Sequence, residues 1–312
     1  MGKSEMVGAA LAVLGALAAV AAQAQPALVV SEQDYLAEVP MVLSVARLPQ
    51  RLDETPGAVT ILDRHWIRQS GARDLADLLR LVPGFQSSTS FAGDMQQATY
   101  HGGASEFANR LQVMVDGRSV YSPYLQGSSG LGLQTLALDD IERVEVLRGS
   151  NSAAYGARAF LGVVNIISRD PKDSQGLALR VGSGQNGIED LYLRWGHASA
   201  ALGLRVSADQ RADDGLAGAN GPARVRRLNA LASLRLTERD ELELRGGVVE
   251  AQATRGFPGR EGNPVRERSD SAQHLQMDWR RTIDADQEIT WPACRCRRNA
   301  MSTIFRMCRC PV

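Results

Sequence analysis

The stretch Leu191-Tyr192-Leu193-Arg194-Trp195 places apolar side chains at every second position, with Tyr192 and Arg194 between them. Successive side chains of an extended strand point to opposite faces, so this stretch predicts a β-strand with one apolar and one polar face. The same alternation recurs from Leu202 to Ala208 and from Leu275 to Trp279. The second half of the chain is therefore predicted to form two-faced antiparallel strands.

Seven such stretches follow one another in this half, beginning near residues 177, 190, 200, 226, 240, 271 and 286. The connections near 182–189, 210–225 and 253–270 are predicted to be long, and those near 197–199, 237–239 and 282–285 to be tight. Strict alternation of this kind is typical of an outer-membrane barrel, which has short periplasmic turns and long external loops. The pattern favours such a barrel, with Trp195, Trp279, Trp291 and Tyr192 in its aromatic girdle. A soluble antiparallel sandwich capped by these aromatic residues is the alternative.

The first half mixes helix and strand signals and predicts a small α+β domain. Apolar residues lie near helical spacing from Arg64 to Leu81, and Pro83-Gly84 stops the pattern, so we expect one amphipathic helix there. Strand-like runs surround this helix at 58–62, 111–116, 141–147 and 162–168. The last run is rich in β-branched residues and predicts a buried strand.

Several motifs of this half resemble, in content and order, the plug domain of TonB-dependent outer-membrane receptors. They are Glu54-Thr55-Pro56-Gly57-Ala58-Val59-Thr60, Arg73-Asp74-Leu75-Ala76-Asp77-Leu78-Leu79 with Val82-Pro83-Gly84, Gln112-Val113-Met114-Val115-Asp116-Gly117-Arg118, Ile141-Glu142-Arg143-Val144-Glu145-Val146-Leu147-Arg148-Gly149, and Ala154-Tyr155-Gly156-Ala157-Arg158-Ala159-Phe160-Leu161-Gly162-Val163-Val164-Asn165-Ile166-Ile167. Two positions depart from the family pattern, because Ser150 replaces a common proline and Leu161 a common second glycine. The resemblance implies an α+β plug domain followed by an incomplete antiparallel transmembrane β-barrel.

The resemblance also implies a transporter rather than an enzyme, in the outer membrane of a Gram-negative bacterium. Family members import scarce ligands such as iron siderophores or cobalamin, so the implied partners are a small-molecule ligand such as a metal chelate, the energy-transducing protein TonB and outer-membrane lipid. No cofactor, resident metal or catalytic residue is implied. The ligand would lie between the external loops and the plug apex, where Phe85–Tyr100 and Tyr121–Leu133 are candidate apex loops and Tyr121 and Tyr124 candidate contacts. A soluble periplasmic binding module built on a plug-like domain is the alternative.

The TonB box of this family lies just before the plug, where this chain has Val39-Pro40-Met41-Val42-Leu43-Ser44-Val45. An extended apolar segment can add itself as a strand to the exposed sheet edge of a partner. Pro40 removes one hydrogen-bond donor, which an edge strand tolerates. Two alternatives stay open: the segment is the first strand of the plug, or Ala27-Leu28-Val29-Val30 is the box.

An export signal is predicted at the N-terminus. Lys3 precedes an apolar run from Val7 to Ala22, and Ala22-Gln23-Ala24 offers the small residues that signal peptidase accepts, so we expect cleavage after Ala24. A membrane-spanning helix is the alternative, but the run is shorter than the roughly 20 residues that such a helix needs. The predicted order is a signal peptide (1–24), a segment with the TonB box (25–45), the plug (46–170), about seven barrel strands (171–291) and a foreign tail (292–312).

Two motifs that resemble chemical sites are better explained by backbone geometry. Gly182–Gly187 matches GxGxxG, but the strand predicted after it cannot supply the helix N-terminus that binds pyrophosphate. His101-Gly102-Gly103-Ala104 resembles an esterase oxyanion segment, but the sequence contains no GxSxG nucleophile motif. The 35 basic and 35 acidic residues leave no net charge to attract nucleic acid.

Residues 292–312 differ in composition from the rest of the chain. They contain five arginines, no acidic residue and all four cysteines, in the pairs Cys294-x-Cys296 and Cys308-x-Cys310. Metal thiolates and disulfides in any of three connectivities are two interpretations. A third is a frameshift near codon 291, because Lys3 and Lys172 are the only lysines and this arginine bias indicates a gene rich in G and C. Shifted frames of such genes tend to encode arginine, cysteine, proline and alanine, so we expect the last barrel strand to stop at Pro292 and the chain to be unable to transport.

Overall fold

The structure is a computed structural model that describes residues 41–42, 50–55, 57–89, 96–101, 110–121, 129–156, 158–215, 221–284 and 287–300. The predicted signal peptide, five residues of the TonB box and Tyr124 lie outside the described residues. Within the described ranges, none of the helices has the length and apolar character required to cross a membrane.

The N-terminal domain contains short helices and mostly short strands. Its strands are β1 (Met41–Val42), β2 (Gln50–Arg51), β3 (Ala58–Asp63), β4 (Phe85–Thr89), β5 (Gln96–Tyr100), β6 (Leu111–Val115), β7 (Arg118–Ser119), β8 (Ile141–Arg148) and β9 (Gly162–Ser168). Its α-helices are α1 (Arg64–Gln69), α2 (Leu75–Leu79) and α3 (Ser152–Tyr155), and the 3-10 helices are Leu52–Glu54, Gly130–Gln134, Leu138–Asp140 and Pro171–Ser174. The four strands predicted from the sequence correspond to β3, β6, β8 and β9, which confirms the α+β prediction.

A five-stranded sheet in the order β3-β8-β9-β6-β7 forms the centre of this domain. Only the β6–β9 pair is parallel among these neighbours. Val144, Val146 and Val164 are fully buried in its main apolar cluster, which also contains Leu78 and Leu79 of α2. Burying such side chains contributes roughly 1.5–3 kcal/mol each, so the cluster fixes α2 against the sheet.

The single helix predicted over Arg64–Leu81 is wrong, because the structure has two helices there. Gly71 follows α1 with a φ of 66°, a left-handed conformation that glycine adopts without steric cost. Asp74 then begins α2 by accepting a hydrogen bond from the Asp77 backbone N–H at 3.1 Å. The break leaves Arg73 in the short segment between the two helices.

Seven antiparallel strands form a second sheet in strict chain order. They are β10 (Gly176–Gly184), β11 (Ile188–Ala198), β12 (Leu202–Asp213), β13 (Ala223–Arg235), β14 (Asp240–Arg255), β15 (Arg266–Thr282) and β16 (Glu288–Ala300). The number and positions of the strands agree with the prediction. Among the described residues the sheet does not close on itself, so β10 and β16 are its two edges.

The two faces of this sheet differ in polarity. Its inner face packs on the N-terminal domain and carries polar side chains such as Arg205, Ser207 and Asn229, which are all nearly buried. Its outer face exposes large apolar side chains on all seven strands, with one such side chain each on β12, β13 and β14. These side chains are Leu177, Leu179, Val181, Leu191, Leu193, Trp195, Val206, Leu228, Val248, Leu275, Met277, Ile289 and Trp291. The face directed away from the N-terminal domain is therefore the apolar one.

Tyr192 was predicted to belong to an aromatic girdle on the outer face, and this prediction is wrong. Its side chain lies on the inner face and is buried, because it is one position out of phase with the exposed Leu191 and Leu193. Trp195 and Trp291 do lie on the outer face, and Trp291 pairs in register with Trp279 of the neighbouring strand.

The predicted strict alternation of long and short connections fails at the first connection. Residues 214–222 and 256–265 form long connections, but β10 and β11 are joined by only 185–187. Asn186 and Gly187 there have φ values of 57° and 64°, the geometry of a tight hairpin turn that Asn-Gly strongly favours. The strand β11 that follows confirms that Gly182–Gly187 does not precede a helix.

The expectation that the last strand stops at Pro292 is also wrong. Strand β16 continues to Ala300 and pairs with β15 from Thr282↔Glu288 to Asp270↔Ala300. Pro292 lies opposite Asp278 within this ladder. Because β16 is the edge strand here, proline can be accommodated where its missing N–H would face away from β15.

Candidate functional site

The N-terminal domain contacts the inner face of the seven-stranded sheet through buried polar groups. Asp140 is fully buried, and its carboxylate accepts hydrogen bonds from the Tyr192 hydroxyl at 2.8 Å and from the Ser207 hydroxyl. The Arg205 guanidinium lies 3.9 Å from the same carboxylate. A buried carboxylate is costly unless it is paired, so the two hydroxyl donors and the Arg205 cation of β11 and β12 account for its presence here.

Arg73 connects the segment between α1 and α2 to the same two strands. Its guanidinium binds both Asp190 oxygens, at 2.7 and 3.0 Å, and Asp213 at 2.9 Å. These hydrogen bonds, led by that to Asp190, raise the pKa of Arg73 above its ordinary value despite the opposing effect of partial burial. Arg211 in return donates to the Arg73 carbonyl oxygen. We call this set of contacts the Arg73 clamp.

A third contact lies at the β6–β7 hairpin. Asp116 and Gly117 form its turn with positive φ values of 47° and 74°. The Asp116 carboxylate lies 3.5 Å from Arg245 of β14, and its carbonyl oxygen accepts a hydrogen bond from Gln276 of β15 at 2.8 Å. The hairpin therefore contacts polar side chains of two neighbouring strands on the inner face of the sheet.

The two parts also approach closely through their backbones. A Cβ atom added at Gly196 of β11 would lie 2.0 Å from the carbonyl oxygen of Ser174, at the end of the N-terminal domain. Real Cβ atoms do not approach oxygen this closely, so only glycine permits the contact. Glycine at this position is thus explained by packing.

Among the described residues, cavities of different sizes lie at or near this interface. One of about 140 Å³ lies between the Arg73 clamp and β12–β15, and its lining includes Arg211, Gln134, Arg255 and Asp270. A more open cleft of about 590 Å³ lies at the end of the sheet that carries the long connections, lined by residues such as Asp214, Pro222 and Arg224. The cleft has the size of a small-molecule site, for which about 300–1,000 Å³ is usual.

Comparisons with known proteins identify this architecture. The profile of the TonB-dependent receptor plug domain matches residues 51–163. The iron-regulated outer membrane virulence protein of Vibrio cholerae is 27% identical over 297 residues, which cover 85% of this chain and 44% of that protein. Residues 51–163 are therefore a TonB-dependent receptor plug domain. The vitamin B12 transporter BtuB of Vibrio vulnificus is 29% identical over 146 residues, which cover 47% of this chain and 23% of BtuB.

Solved structures of TonB-dependent receptors share the fold. The ferric yersiniabactin uptake receptor FyuA from Yersinia pestis has a TM-score of 0.65 at 18% identity, over 78% of this chain and 41% of FyuA. FpvA from P. aeruginosa has a TM-score of 0.68 at 15% identity, over 85% of this chain and 37% of FpvA. The chain therefore spans less than half the length of these receptors. The N-terminal domain is the plug domain, the sheet corresponds to barrel strands, and the predicted outer-membrane location is confirmed.

Two residues of the predicted TonB box are described. Met41 and Val42 form β1, which pairs with β2 through Met41↔Arg51 and Val42↔Gln50. Val42 is fully buried, whereas Met41 is 47% exposed. The segment thus pairs with the plug itself, as the alternative of a first plug strand expects, and its role in TonB binding stays a prediction.

Tyr121, a predicted ligand contact, lies beside Arg158 of the plug. The Arg158 guanidinium carbon is 3.1 Å from the centre of the Tyr121 ring, so a cation–π contact covers one ring face. Tyr124 lies outside the described residues. The ligand role of both tyrosines stays a prediction, and no local sequence pattern indicates the Arg158 contact.

The described residues include only two of the four cysteines in the metal-site interpretation, Cys294 and Cys296. No group of three or more His, Cys, Asp or Glu side chains there is placed to hold a metal ion. Cys294 is disulfide-bonded and so cannot act as a thiolate ligand. Cys308 and Cys310 lie outside the described residues.

We predict that Arg73→Met weakens the attachment of the plug to the sheet. The two ion pairs are partly buried, with 28% of the Arg73 side chain exposed, so we expect a loss of about 2 kcal/mol, between surface and buried pairs. The loss of unfolding free energy is measured by urea titration of the mature chain refolded in detergent, with the protease resistance of the plug as the signal. Arg51→Met is the matched control, because its pair with Asp53 is about half exposed and its loss should cost less than about 1 kcal/mol. Equal effects of the two substitutions would contradict the clamp.

Proposed function

We propose that this chain is the N-terminal part of a TonB-dependent outer-membrane transporter for a scarce small molecule, such as an iron siderophore or cobalamin. One observation carries the proposal: the sheet places a plug domain against its polar inner face and exposes apolar side chains on the opposite face. Relatives named for vitamin B12 transport and for ferric yersiniabactin uptake support this ligand class. They do not select one ligand. The protein is proposed as a transporter rather than an enzyme.

The outer face argues against a soluble periplasmic module. Leu177, Leu179 and Val181 of β10 are each at least 65% exposed, and a soluble sheet would have to bury such a continuous apolar surface. In an outer-membrane barrel the same surface contacts lipid, and alternate residues face the lumen. Fractionation of cells expressing the chain distinguishes the two, because a soluble module would remain in the periplasmic extract after the membranes are pelleted.

We infer that residues 39–45 bind TonB by adding a strand to it. The extended conformation of Met41 and Val42 in β1 is the one that strand addition needs, and it supports this proposal. TonB would compete with β2 for the same backbone groups. Release of β1 from β2 would then precede binding.

We predict that a peptide of residues 34–50 binds the periplasmic domain of TonB and that Val42→Pro abolishes the binding. Proline removes the N–H at position 42 and fixes φ, so the added strand loses a ladder hydrogen bond and its regular geometry. Isothermal titration calorimetry measures the affinity. Val42→Thr is the matched control, because it keeps the N–H and the β-branched shape.

The competing box is tested in the same way. If a peptide of residues 25–38 binds TonB and Val29→Pro abolishes that binding, then Ala27–Val30 is the TonB box. Unchanged binding of the 34–50 peptide after Val42→Pro would contradict the assignment to residues 39–45.

We further propose that residues 292–312 are an out-of-frame tail that begins within the last of the seven barrel strands. Arg295 supports this, since it is exposed on the outer face of β16 and lies opposite Leu275 of β15. An arginine on the lipid face of a barrel costs about 2–4 kcal/mol at the membrane midplane. A strand selected for this membrane position would carry an apolar residue there.

A further inference from the structure

Arg118 is the second member of the plug hairpin to reach the sheet. Asp116, in the turn, contacts Arg245 of β14 and Gln276 of β15. Arg118 begins β7 two residues later and reaches one strand further, where its Nη1 donates a hydrogen bond to the Cys296 sulfur of β16 at 3.5 Å. The hairpin thus contacts three consecutive strands, β14, β15 and β16.

The guanidinium of Arg118 is buried without sufficient partners. The residue is 3% exposed, and its Nε and Nη2 atoms have no hydrogen-bond partner among the described residues. A sulfur at 3.5 Å is a weak acceptor for a charged donor. Leaving buried charged donors unpaired is strongly destabilising, and the described residues around Arg118 supply no counter-charge to these two atoms.

The other charged and titratable groups around Arg118 do not supply that counter-charge. A small cavity of about 20 Å³, enough for about one water molecule, is lined by Arg118 together with Asp116, Arg205, Arg245 and His274. Asp116 is the only acid among them, and it already accepts from the Ser168 N–H at 2.8 Å and lies beside Arg245. Cations therefore outnumber carboxylates in this cavity.

The missing acceptor has a defined position. His274, which lines the cavity with Arg118, and Cys296, which accepts its hydrogen bond, are direct partners in the β15–β16 register. His274 is fixed by the long, regular strand β15, whereas Cys296 belongs to the segment that we propose to be out of frame. If the segment is out of frame, a hydrogen-bond acceptor for Arg118 at the position of Cys296 has been replaced by the cysteine.

We propose that Arg118 anchors the plug to the strand that follows β15, and that the inner-face position occupied here by Cys296 carries an aspartate or glutamate in the intact receptor. A carboxylate there can accept from Nη1 and Nη2 or from Nη2 and Nε, the paired geometry in which arginine binds carboxylates most strongly. This inference rests on the proposed out-of-frame tail. It adds a specific counter-ion to the plug–barrel interface.

A double-mutant cycle tests the anchor in the full mature chain refolded in detergent. Cys296→Asp is compared with the uncharged, similarly shaped Cys296→Asn, each with Arg118 or with Arg118→Met. We expect proteolysis of the plug to be at least tenfold slower with Asp than with Asn when Arg118 is present. The difference should fall below twofold with Arg118→Met. Equal rates for Asp and Asn, or the same advantage of Asp without Arg118, would overturn the anchor.

A second measurement does not depend on refolding. The reading frame that restores alternating strands after codon 291 should encode Asp or Glu at the inner-face position opposite His274. Another residue type there would overturn the anchor and leave the frameshift intact. If no frame restores strands, the frameshift fails, and the mutant cycle still decides whether Arg118 requires a carboxylate.

Discussion

Expression of this chain in a bacterium lacking its own cobalamin and siderophore receptors is expected to restore no ligand uptake. Uptake of radiolabelled cobalamin and of radiolabelled ferric siderophore should equal that of cells with an empty vector. A complete vitamin B12 transporter, expressed from the same vector, is the positive control. Uptake clearly above the empty vector for either ligand would refute the prediction.

The physical reason lies in the two edges of the sheet. Strands β10 and β16 each have a neighbour on one side only among the described residues, so the outward N–H and C=O groups of both edges lack strand partners. In lipid each unsatisfied group costs several kcal/mol, and spanning β-structures are therefore closed. The smallest outer-membrane barrels have about eight strands and enclose little more than their own side chains. Seven strands cannot surround a plug domain, so in the outer membrane of the cell, where no detergent covers the sheet edges, we expect aggregation or degradation instead.

Strand positions were predictable from the sequence because they depend on local alternation. Leu191, Leu193 and Trp195 are exposed on one face in the structure, as their period of two requires. The motifs from Ile141 to Ile167 likewise located β8 and β9, because runs of β-branched residues bounded by glycine give a strong strand signal. Local patterns are therefore sufficient to predict the fold class and the order of the secondary-structure elements.

Predictions from the sequence are wrong where a single residue determines a local structure that the apolar pattern does not indicate. Apolar spacing continues through Ser70–Asp74, yet Gly71 and the Asp74 N-cap divide the predicted helix. Tyr192 was grouped with the girdle by residue type, although its phase within β11 already placed it on the inner face. The connection near 182–189 is predicted to be long because of its glycines, although Asn186-Gly187 is by itself a signal for a tight hairpin turn.

The interface between plug and sheet was not predictable from the sequence alone. Arg73 and Asp190 are 117 residues apart, and Asp140 and Ser207 are 67 apart. Many inner-face positions carry arginine or aspartate, so alternation identifies the polar face without selecting the pairs. Only the three-dimensional position of the plug assigns Arg73 to Asp190 and Arg118 to β16.

The last prediction concerns residues 292–312, which we expect to be a frameshift product. The continuation of β16 to Ala300 removes one argument for it, because the strand does not stop at Pro292. The composition of the tail still supports the frameshift. The preceding 291 residues contain no cysteine, whereas the tail has four cysteines, five arginines and no acidic residue. Two features of β16 add to it, namely Arg295 exposed on the apolar outer face and Cys296 beside the buried Arg118. A backbone that pairs regularly while both of its faces carry unsuitable side chains is expected of a foreign sequence occupying the place of a barrel strand.

Resequencing the locus and translating all frames downstream of codon 291 tests this directly. We expect one alternate frame to continue with stretches of about 9–11 residues that alternate apolar and polar positions, as membrane strands do. That frame should end in an aromatic residue, and correcting the frame should yield a product recovered in the outer membrane. If no downstream frame shows a period of two, the cysteine-rich tail is genuine. The disulfide at Cys294 would then belong to a real terminal structure, and the missing counter-charge of Arg118 would need another source.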